Sequence, residues 1–276
     1  SPAWMADSLH IAFTSRRDGN SEIYLVNHET GDLQNLTRYP GDDIAPVPAT
    51  AADATTLLYM SLREGNIELF LMDTETRRQR NLSNHPADDY RPVWGKTGEW
   101  LSFESTRDEG IETYVLNLDN PELINIGLPD ADDYAADWSI DAALLAFEST
   151  FQNNAEIFIY DALKNEAINI SSHPAHDRDP QWSPVTHELA FISGRDAEND
   201  IIIHNMDTGE QHTIGIPNVE TGTFSWSPDG HFLLVTTRES RGRALYVLHV
   251  DSGDWWQIVT TAQRIDSAVW RPIIAR

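Results

Sequence analysis

Acidic side chains recur at one fixed place in a repeated pattern along the chain. Each stands five residues before a tryptophan or, in one copy, before Pro48, while the last two copies shift the acid by one place, to Glu220 and Asp266. Carboxylates gathered around one opening focus a negative potential, which attracts a cation or the basic groups of a peptide. The acids in register are Asp43, Asp89, Asp133 and Asp177.

Arginines form a second column, thirteen residues after the same anchor positions, or fifteen after Pro48, where the repeat carries a two-residue insertion. Phe151 and Glu239 interrupt this column, although Arg238 stands next to Glu239. One interpretation is structural, because an arginine that pairs with an aspartate of its own or the next repeat would pin two loops together. The other is that carboxylates left without an arginine bind a cation or a basic peptide, so we predict a binding face from both columns and Asp266. The arginines are Arg17, Arg63, Arg107 and Arg195.

Glutamates and histidines also recur at fixed places in the repeat, and both patterns favour a role in turns over a role in catalysis. The glutamates recur once per repeat, so no special pair for acid–base hydrolysis stands out. His85 and His173 occupy equivalent loop places, and His176, next to Asp177, is the one histidine that we single out for a metal test. A metal site needs three or more converging ligands, and the sequence shows no complete set. The glutamates are Glu22, Glu68, Glu112 and Glu156.

The remaining signals for catalysis are missing from the sequence. It has no cysteine for a thiol nucleophile or thiolate site. It has neither a glycine-rich phosphate loop that opens a helix nor a Gly-x-Ser-x-Gly nucleophile turn. The sequence therefore predicts no catalytic residue, no metal and no cofactor.

Net charge limits the classes of partner. Lys and Arg total 19 against 44 Asp and Glu, which gives a formal net charge of -25 over 276 residues. Such a surface repels phosphate backbones and anionic lipid headgroups, and no apolar run approaches the roughly 20 residues that span a bilayer. We therefore expect a protein or peptide partner, with a cation as a further ligand, and neither nucleic acid nor membrane insertion. No signal peptide is visible at Ser1, which leaves a removed leader open.

Tryptophans fix the repeat that positions these columns. The last five anchors are 44 residues apart, and the 90 residues between Trp4 and Trp94 hold one further anchor at Pro48. Each repeat contains short alternating segments bounded by turn residues, as in Ser227-Pro228-Asp229-Gly230. Six repeats of this length, with four strands each, predict an all-β, six-bladed β-propeller of four antiparallel strands per blade. We expect one domain over residues 1–276 and a monomer.

The repeat resembles a known family. The segment Phe224-Ser225-Trp226-Ser227-Pro228-Asp229-Gly230, and the strands around Phe13 and Tyr24, are similar to the TolB-like, WD-repeat-like β-propeller repeat. This resemblance implies a periplasmic or extracellular protein, because such modules occur in periplasmic Tol-system proteins. They also occur beside peptidase domains and in some polysaccharide lyases that use histidine-bound metal. Function must be argued from the site and not from the fold.

We therefore predict a non-catalytic scaffold for protein–protein interaction. Because strands alternate in direction, the loop after the second strand and the loop before the first lie on one side, which we call the upper face, and it holds both columns. The alternatives are a metal-dependent carbohydrate-active enzyme, like a polysaccharide lyase, and an accessory propeller domain of a peptidase.

Two segments compete for the first strand of the first blade. Residues 1–4 suggest a truncated strand, whereas residues 265–272 suggest a complete one. Since an open ring would leave strand backbone unpaired, we expect the C-terminal segment to pair with residues 11–15. A longer parent chain with more repeats is the alternative.

Overall fold

The computed structural model describes residues 2–49, 54–63, 65–120, 122–195, 199–216, 219–239, 242–261 and 270. Its strands form six antiparallel sheets of four strands. The predicted fold class, an all-β six-bladed β-propeller with four antiparallel strands per blade, is confirmed. The chain divides into two compact units, Ser1–Asp130 and Ala131–Arg276, each with three blades. The prediction of one domain over residues 1–276 stays a prediction.

The first unit contains blades one to three. Blade one is β1(Ala3–Trp4), β2(His10–Ser15), β3(Glu22–Asn27) and β4(Leu33–Asn35). Blade two is β5(Asp43–Pro48), β6(Thr56–Arg63), β7(Asn66–Asp73) and β8(Gln79–Asn81). Blade three is β9(Asp89–Trp94), β10(Trp100–Ser105), β11(Glu112–Asn117) and β12(Leu123–Asn125).

The second unit contains blades four to six. Blade four is β13(Asp132–Trp138), β14(Leu144–Phe151), β15(Asn154–Asp161) and β16(Glu166–Asn169). Blade five is β17(Asp177–Trp182), β18(Glu188–Ser193), β19(Asp200–Asn205) and β20(Gln211–Ile214). Blade six is β21(Val219–Trp226), β22(Phe232–Glu239), β23(Gly242–His249) and β24(Trp255–Thr261).

The cores lie between successive blades of each unit. One cluster joins Ala12 and Ile23 of blade one to Leu57 and Tyr59 of blade two, and equivalent clusters join the later neighbours. First strands of neighbouring blades contact one another, as β1 does β5 and β17 does β21. The first strand is therefore the inner strand of a blade and the fourth is the outer strand.

Three anchor tryptophans, Trp94, Trp182 and Trp226, pack between neighbouring sheets of one unit, as the repeat predicts. Trp94, Trp138, Trp182 and Trp226 are between 0% and 8% exposed. The indole N–H of Trp94 donates to the Val47 carbonyl of the preceding first strand at 3.2 Å, and that of Trp226 donates to the Gln181 carbonyl at 2.9 Å. A buried tryptophan usually has such an acceptor, so these two side chains join consecutive first strands, whereas the indole N–H of Trp182 is buried without an acceptor among the described residues.

Every first strand from blade two to blade five carries a β-bulge just after its aspartate. The pairing register shifts there, and the second residue after the aspartate has a left-handed backbone. Bulges of this kind re-aim side chains beside loops. These residues are Ala45 (φ 52), Arg91 (φ 50), Ala135 (φ 53) and Asp179 (φ 53).

The structure corrects the expected pairing of the first blade. Ala3 pairs with Ala12 and Trp4 with Ile11, so the N-terminal residues hold the place that we assigned to the C-terminal segment at these two positions. These two pairs match the pairs formed by Val93 and Trp94 with Ser102 and Leu101 in blade three, which lie beyond the bulge. Residues 265–269, and with them Asp266, lie outside the described residues.

No helix within the described ranges has the length and apolarity needed to cross a membrane.

Candidate functional site

The aspartate column lies at the start of the first strands. Asp43, Asp89 and Asp177 open β5, β9 and β17, and Asp133 is the second residue of β13. Each pairs across the sheet with a serine of the second strand, as Asp89 does with Ser105. All four are 0% exposed. The carboxylates that we expected around one opening are therefore each buried within their own blade.

Three of these buried acids pair with the arginine column. In each case donor and acceptor belong to the same blade, and the arginine side chain is itself only 11–22% exposed. The structural interpretation of the arginines is thus supported, because the second-to-third-strand loop is joined to the start of the first strand. The Nη2–carboxylate distances are 3.3 Å for Arg63–Asp43, 2.8 Å for Arg107–Asp89 and 3.6 Å for Arg195–Asp177.

Burial raises the pKa of two of these aspartates. Burial raises the pKa of Asp43 above its ordinary value, although Ser61 and the Arg63 charge oppose the shift. Burial also raises the pKa of Asp177, against Ser193 and Arg195. Desolvation disfavours the charged carboxylate, and the facing arginine only partly compensates.

Aromatic rings hold the arginines, which sequence reasoning missed. The Arg107 guanidinium lies 4.7 Å from the Tyr114 ring centre and 5.4 Å from that of Phe103, which are cross-strand partners. Arg63 stacks likewise at 4.3 Å from Phe70, and at 4.1 Å from Tyr39. Such stacking suits a planar guanidinium. The sequence carries this signal as an aromatic column twenty residues after the tryptophans and twenty-two after Pro48: Tyr24, Phe70, Tyr114 and Phe158.

Arg17 keeps the stack without an ion pair. Its guanidinium lies 4.5 Å from the Tyr24 ring centre, and its Nε donates to Ser15 Oγ at 3.0 Å, as Arg107 Nε does to Ser105 at 2.8 Å. Arg17 is exposed, and no ion pair is found for it within the described part of the chain. In blade four, Phe151 occupies the arginine position and is 45% exposed.

The glutamate column organises the loops through hydrogen bonds. Glu22 accepts hydrogen bonds from Asn20 at 3.1 Å, from the Thr37 hydroxyl at 2.6 Å and from the backbone N–H of Tyr39 at 3.3 Å. Glu68 in blade two and Glu156 in blade four accept the same three kinds of bond. Each carboxylate thus ties the start of the third strand to the loop before the next blade.

The histidines singled out by sequence take part in these loops. His85 Nδ1 accepts from the Ala87 N–H at 3.2 Å, and His173 Nδ1 from the Ala175 N–H at 3.1 Å. His176 Nδ1 accepts from the Ala155 N–H at 3.1 Å. Asp42 and Asp88 do the same for Ser21 and Ile67, at 2.6 and 2.8 Å. His176 therefore stands in an aspartate position of the repeat.

No group of three or more histidine or carboxylate side chains is arranged for a metal ion among the residues that the structure describes.

One cavity lies in the first unit, away from the upper face. Its volume is about 410 Å³, and its lining includes Asp7, His10, Gln34 and Arg77. These polar groups are already occupied, since His10 Nδ1 lies 2.6 Å from Asp7 Oδ2 and Arg77 donates to Gln34 at 2.8 Å. The cavity therefore offers few free partners to a ligand.

Exposed side chains gather on the upper-face loops of blades one and two. This blade 1–2 patch consists of Arg16, Arg17, Tyr39 and Leu62. The Arg16 side chain is 77% exposed, Tyr39 38% and Leu62 48%. The loops are fixed from below, because Leu62 N–H donates to the Asp42 carbonyl at 2.8 Å and Asn20 donates to the Tyr39 carbonyl at 2.7 Å. Arginine and tyrosine on an ordered surface are typical of protein interfaces.

Sequence comparison finds one family over most of the chain. The family described as TolB beta propeller domain matches residues 1–180 and 133–273.

Solved structures share the fold at low sequence identity. TolB from Acinetobacter baumannii is 17% identical with a TM-score of 0.62, over 89% of this chain and 62% of that protein. Oligogalacturonate lyase from Vibrio parahaemolyticus is 16% identical with a TM-score of 0.76, over 92% and 75%. A puromycin-hydrolyzing peptidase of Mycobacterium tuberculosis is 12% identical with a TM-score of 0.74, over 94% and 43%. This chain thus spans less than two thirds of the TolB structure, and the likenesses establish the fold alone.

Proposed function

Since this chain belongs to the TolB beta propeller domain family, we propose a function that its fold can support. The protein is a non-catalytic scaffold that binds a protein or peptide on its upper face. The observation that carries the proposal is the blade 1–2 patch. Its exposed arginines, tyrosine and leucine stand on loops that buried ion pairs and hydrogen bonds hold in place. A surface ordered before binding loses less entropy when a partner docks.

The two residue columns take different parts in this proposal. Asp43, Asp89 and the arginines that pair with them position the loops from below, because they are buried or nearly so. Arg17 is exposed and can contact a partner itself. The binding face therefore consists of exposed loop residues above a charged layer that fixes their backbone.

Substitution of Leu62 by Asp tests the proposal. Leu62 contributes a half-exposed side chain to the patch, so the substitution alters the surface while its backbone hydrogen bond to Asp42 remains. A partner retained from an extract of the source cells by the tagged parent protein should be lost with this variant. The matched control is Leu163→Asp, since Leu163 is 89% exposed in the turn after β15 of the other unit. Equal capture by both variants would refute the patch as the binding face.

A cation is a second candidate ligand, and one observation favours it. Asp177 is fully buried, and its ion pair with Arg195 is the longest of the three, at 3.6 Å. Calcium titration of the parent and of the Asp133→Asn, Asp177→Asn variant decides the matter. No binding to the parent, or equal binding to both, would leave these acids a purely structural role.

Metal analysis tests the non-catalytic part of the proposal. A metal-free protein that leaves oligogalacturonate intact supports a scaffold. A stoichiometric transition metal in the purified protein would favour a lyase-like enzyme instead.

We also infer a periplasmic or extracellular location, which the family resemblance supports. Fractionation of source cells that express the full-length tagged protein tests it, and recovery in the cytoplasm would contradict it.

A further inference from the structure

The outer strand of blade six differs from the outer strands of the other blades. β24 is seven residues long, whereas β4, β8 and β12 have three residues and β16 and β20 have four. Its sequence, Trp255-Trp256-Gln257-Ile258-Val259-Thr260-Thr261, contains no charge and no proline. Natural sheets protect their edges with short strands, charges or prolines. β24 has none of these protections.

Large apolar side chains of β24 face solvent. The exposed fractions are 46% for Trp255, 48% for Trp256, 55% for Ile258 and 41% for Val259. Successive side chains of a strand point to opposite faces, so apolar surface is presented on both sides of one edge. This arrangement suits a strand that inserts beside β24 better than a flat ligand on one face.

Ile258 is exposed at a position of the repeat that is buried in three other blades. Residues 32 positions after the anchor tryptophans are apolar and buried in other blades: Leu36 is 4% exposed, Ile126 6% and Ile214 4%. In blade six Leu245 pairs with Val259 and Tyr246 with Gln257, so a bulge turns Ile258 outward. Blade six therefore keeps an apolar residue at this position of the repeat, but the side chain of Ile258 is exposed to solvent.

We propose that β24 is a docking edge for an extended segment of a partner protein, which adds a fifth antiparallel strand to blade six. Such a strand would use the edge of β24 along which no other strand of the described residues pairs, and would cover the exposed apolar side chains. This surface lies in the second unit and is separate from the blade 1–2 patch.

Charge defines the chemistry of the incoming segment. The turn before β24 exposes Asp251 and Asp254, and the chain carries a net charge of -25. A segment of alternating apolar residues with lysine or arginine at its ends is therefore favoured. A second copy of this chain is disfavoured, because both copies carry the same large negative charge.

A synthetic peptide tests the proposal on the whole protein. The probe alternates valine and threonine and ends in lysines, with a fluorescent label. Matched peptides carry glutamate in place of lysine, or a central proline that removes a backbone donor. The lysine peptide should bind, with slower hydrogen exchange in β24, while the glutamate peptide binds about tenfold more weakly and the proline peptide does not bind.

Two matched variants locate the site. Ile258→Lys places a charge on the docking edge, and Ile168→Lys does so on the outer strand of blade four, where Ile168 is 56% exposed against 55% for Ile258. Peptide affinity should fall at least about tenfold for Ile258→Lys and stay unchanged for Ile168→Lys.

Three results would overturn the proposal. These are no binding of the lysine peptide, equal losses in the two variants, or a parent protein that sediments as a dimer and becomes monomeric on Ile258→Lys. The last result would identify a second copy as the occupant.

Discussion

The Arg107 guanidinium contacts three kinds of partner at once. It stacks over two aromatic rings, donates to the Ser105 hydroxyl and pairs with the buried Asp89 carboxylate. Exposed ion pairs contribute about 0–1 kcal/mol, whereas removal of one partner from a buried pair leaves a charge without compensation. The stability of the loop therefore depends on the arginine more than its polar character suggests.

Replacement of Arg107 by Ala should lower the free energy of unfolding by about 3–5 kcal/mol, because Asp89 remains buried without its counter-charge. Urea denaturation measures the loss. The control is Arg16→Ala, since the Arg16 side chain is 77% exposed and its change should stay under about 1 kcal/mol. Combining Arg107→Ala with Asp89→Asn should recover part of the loss. Similar small losses for both arginines would contradict a buried pair.

The pKa values of Asp42 and Asp43 should lie on opposite sides of the ordinary aspartate value. The hydrogen bond from the Ser21 N–H lowers the pKa of Asp42, whereas burial raises that of Asp43. Between the ordinary value of 3.8 and the raised pKa of Asp43, the folded state holds a proton that the unfolded state has lost, so this residue lowers stability as pH rises through that window. The stabilisation from Asp42 is present above 3.8 and is lost as pH falls through its lowered pKa.

Carboxyl carbon NMR chemical shifts measure both residues in one titration, and Asp43→Asn should remove only the higher transition. Equal midpoints for the two residues would contradict the opposite environments.

The two charged columns could be predicted from the sequence, but their burial could not. A constant spacing from the tryptophans brings Asp89 and Arg107 to the same end of a blade, and the ion pair follows from that placement. Burial depends on how far the first strand extends beside the second, and the spacing does not reveal this depth. The stacked rings could have been found, because Phe103 and Tyr114 recur as columns and oppose each other once the two strands pair.

At the scale of elements, a recurring hydrogen bond joins the start of the third strand to the loop before the next blade in blades one, two and four. An aspartate accepts from the N–H at the start of the third strand in blades one and two, and His176 takes this part in blade four. A histidine can accept through Nδ1 only when that nitrogen carries no proton. Histidine in place of aspartate thus keeps the hydrogen bond from the third strand, but only in the tautomer whose Nδ1 carries no proton.

His176→Leu should lower the free energy of unfolding by about 1–3 kcal/mol, since the buried Ala155 N–H loses its acceptor. His176→Asp should keep or raise the thermal midpoint, because it restores the aspartate of the other blades. Calorimetry compares the two variants, and His173→Leu serves as the control for loss of a loop histidine. A Leu variant as stable as the parent would show that water replaces the imidazole.

At the scale of the molecule, the tryptophan column made the six blades predictable. A period of 44 residues is too long for one hairpin and fits four strands, and the structure has four in every blade. The predicted pairing partner of Ile11 and Ala12 in blade one was wrong, because a two-residue strand such as Ala3–Trp4 gives almost no periodic signal in the sequence. The exposed edge of β24 was not foreseen either, since the repeat predicts a buried residue at Ile258.

Trp182→Ala should lower the free energy of unfolding by about 3–5 kcal/mol, because this side chain is 2% exposed and packs in the cluster between blades four and five. Thermal and urea unfolding of the whole chain measure the loss. Trp256→Ala is the matched control, since its ring is 48% exposed and its removal should cost much less. Comparable losses would show that Trp182 does not hold two blades together.

The ion pairs also bear on how such a chain can grow. In Arg63–Asp43, Arg107–Asp89 and Arg195–Asp177 both partners lie in one blade, and in the first two they are 20 and 18 residues apart. A gene duplication that copies one blade from its aspartate onward copies the arginine with it. A new blade copied from one of these three then arrives with a counter-charge for its buried aspartate, and only the tryptophan contacts to the neighbours must be made anew.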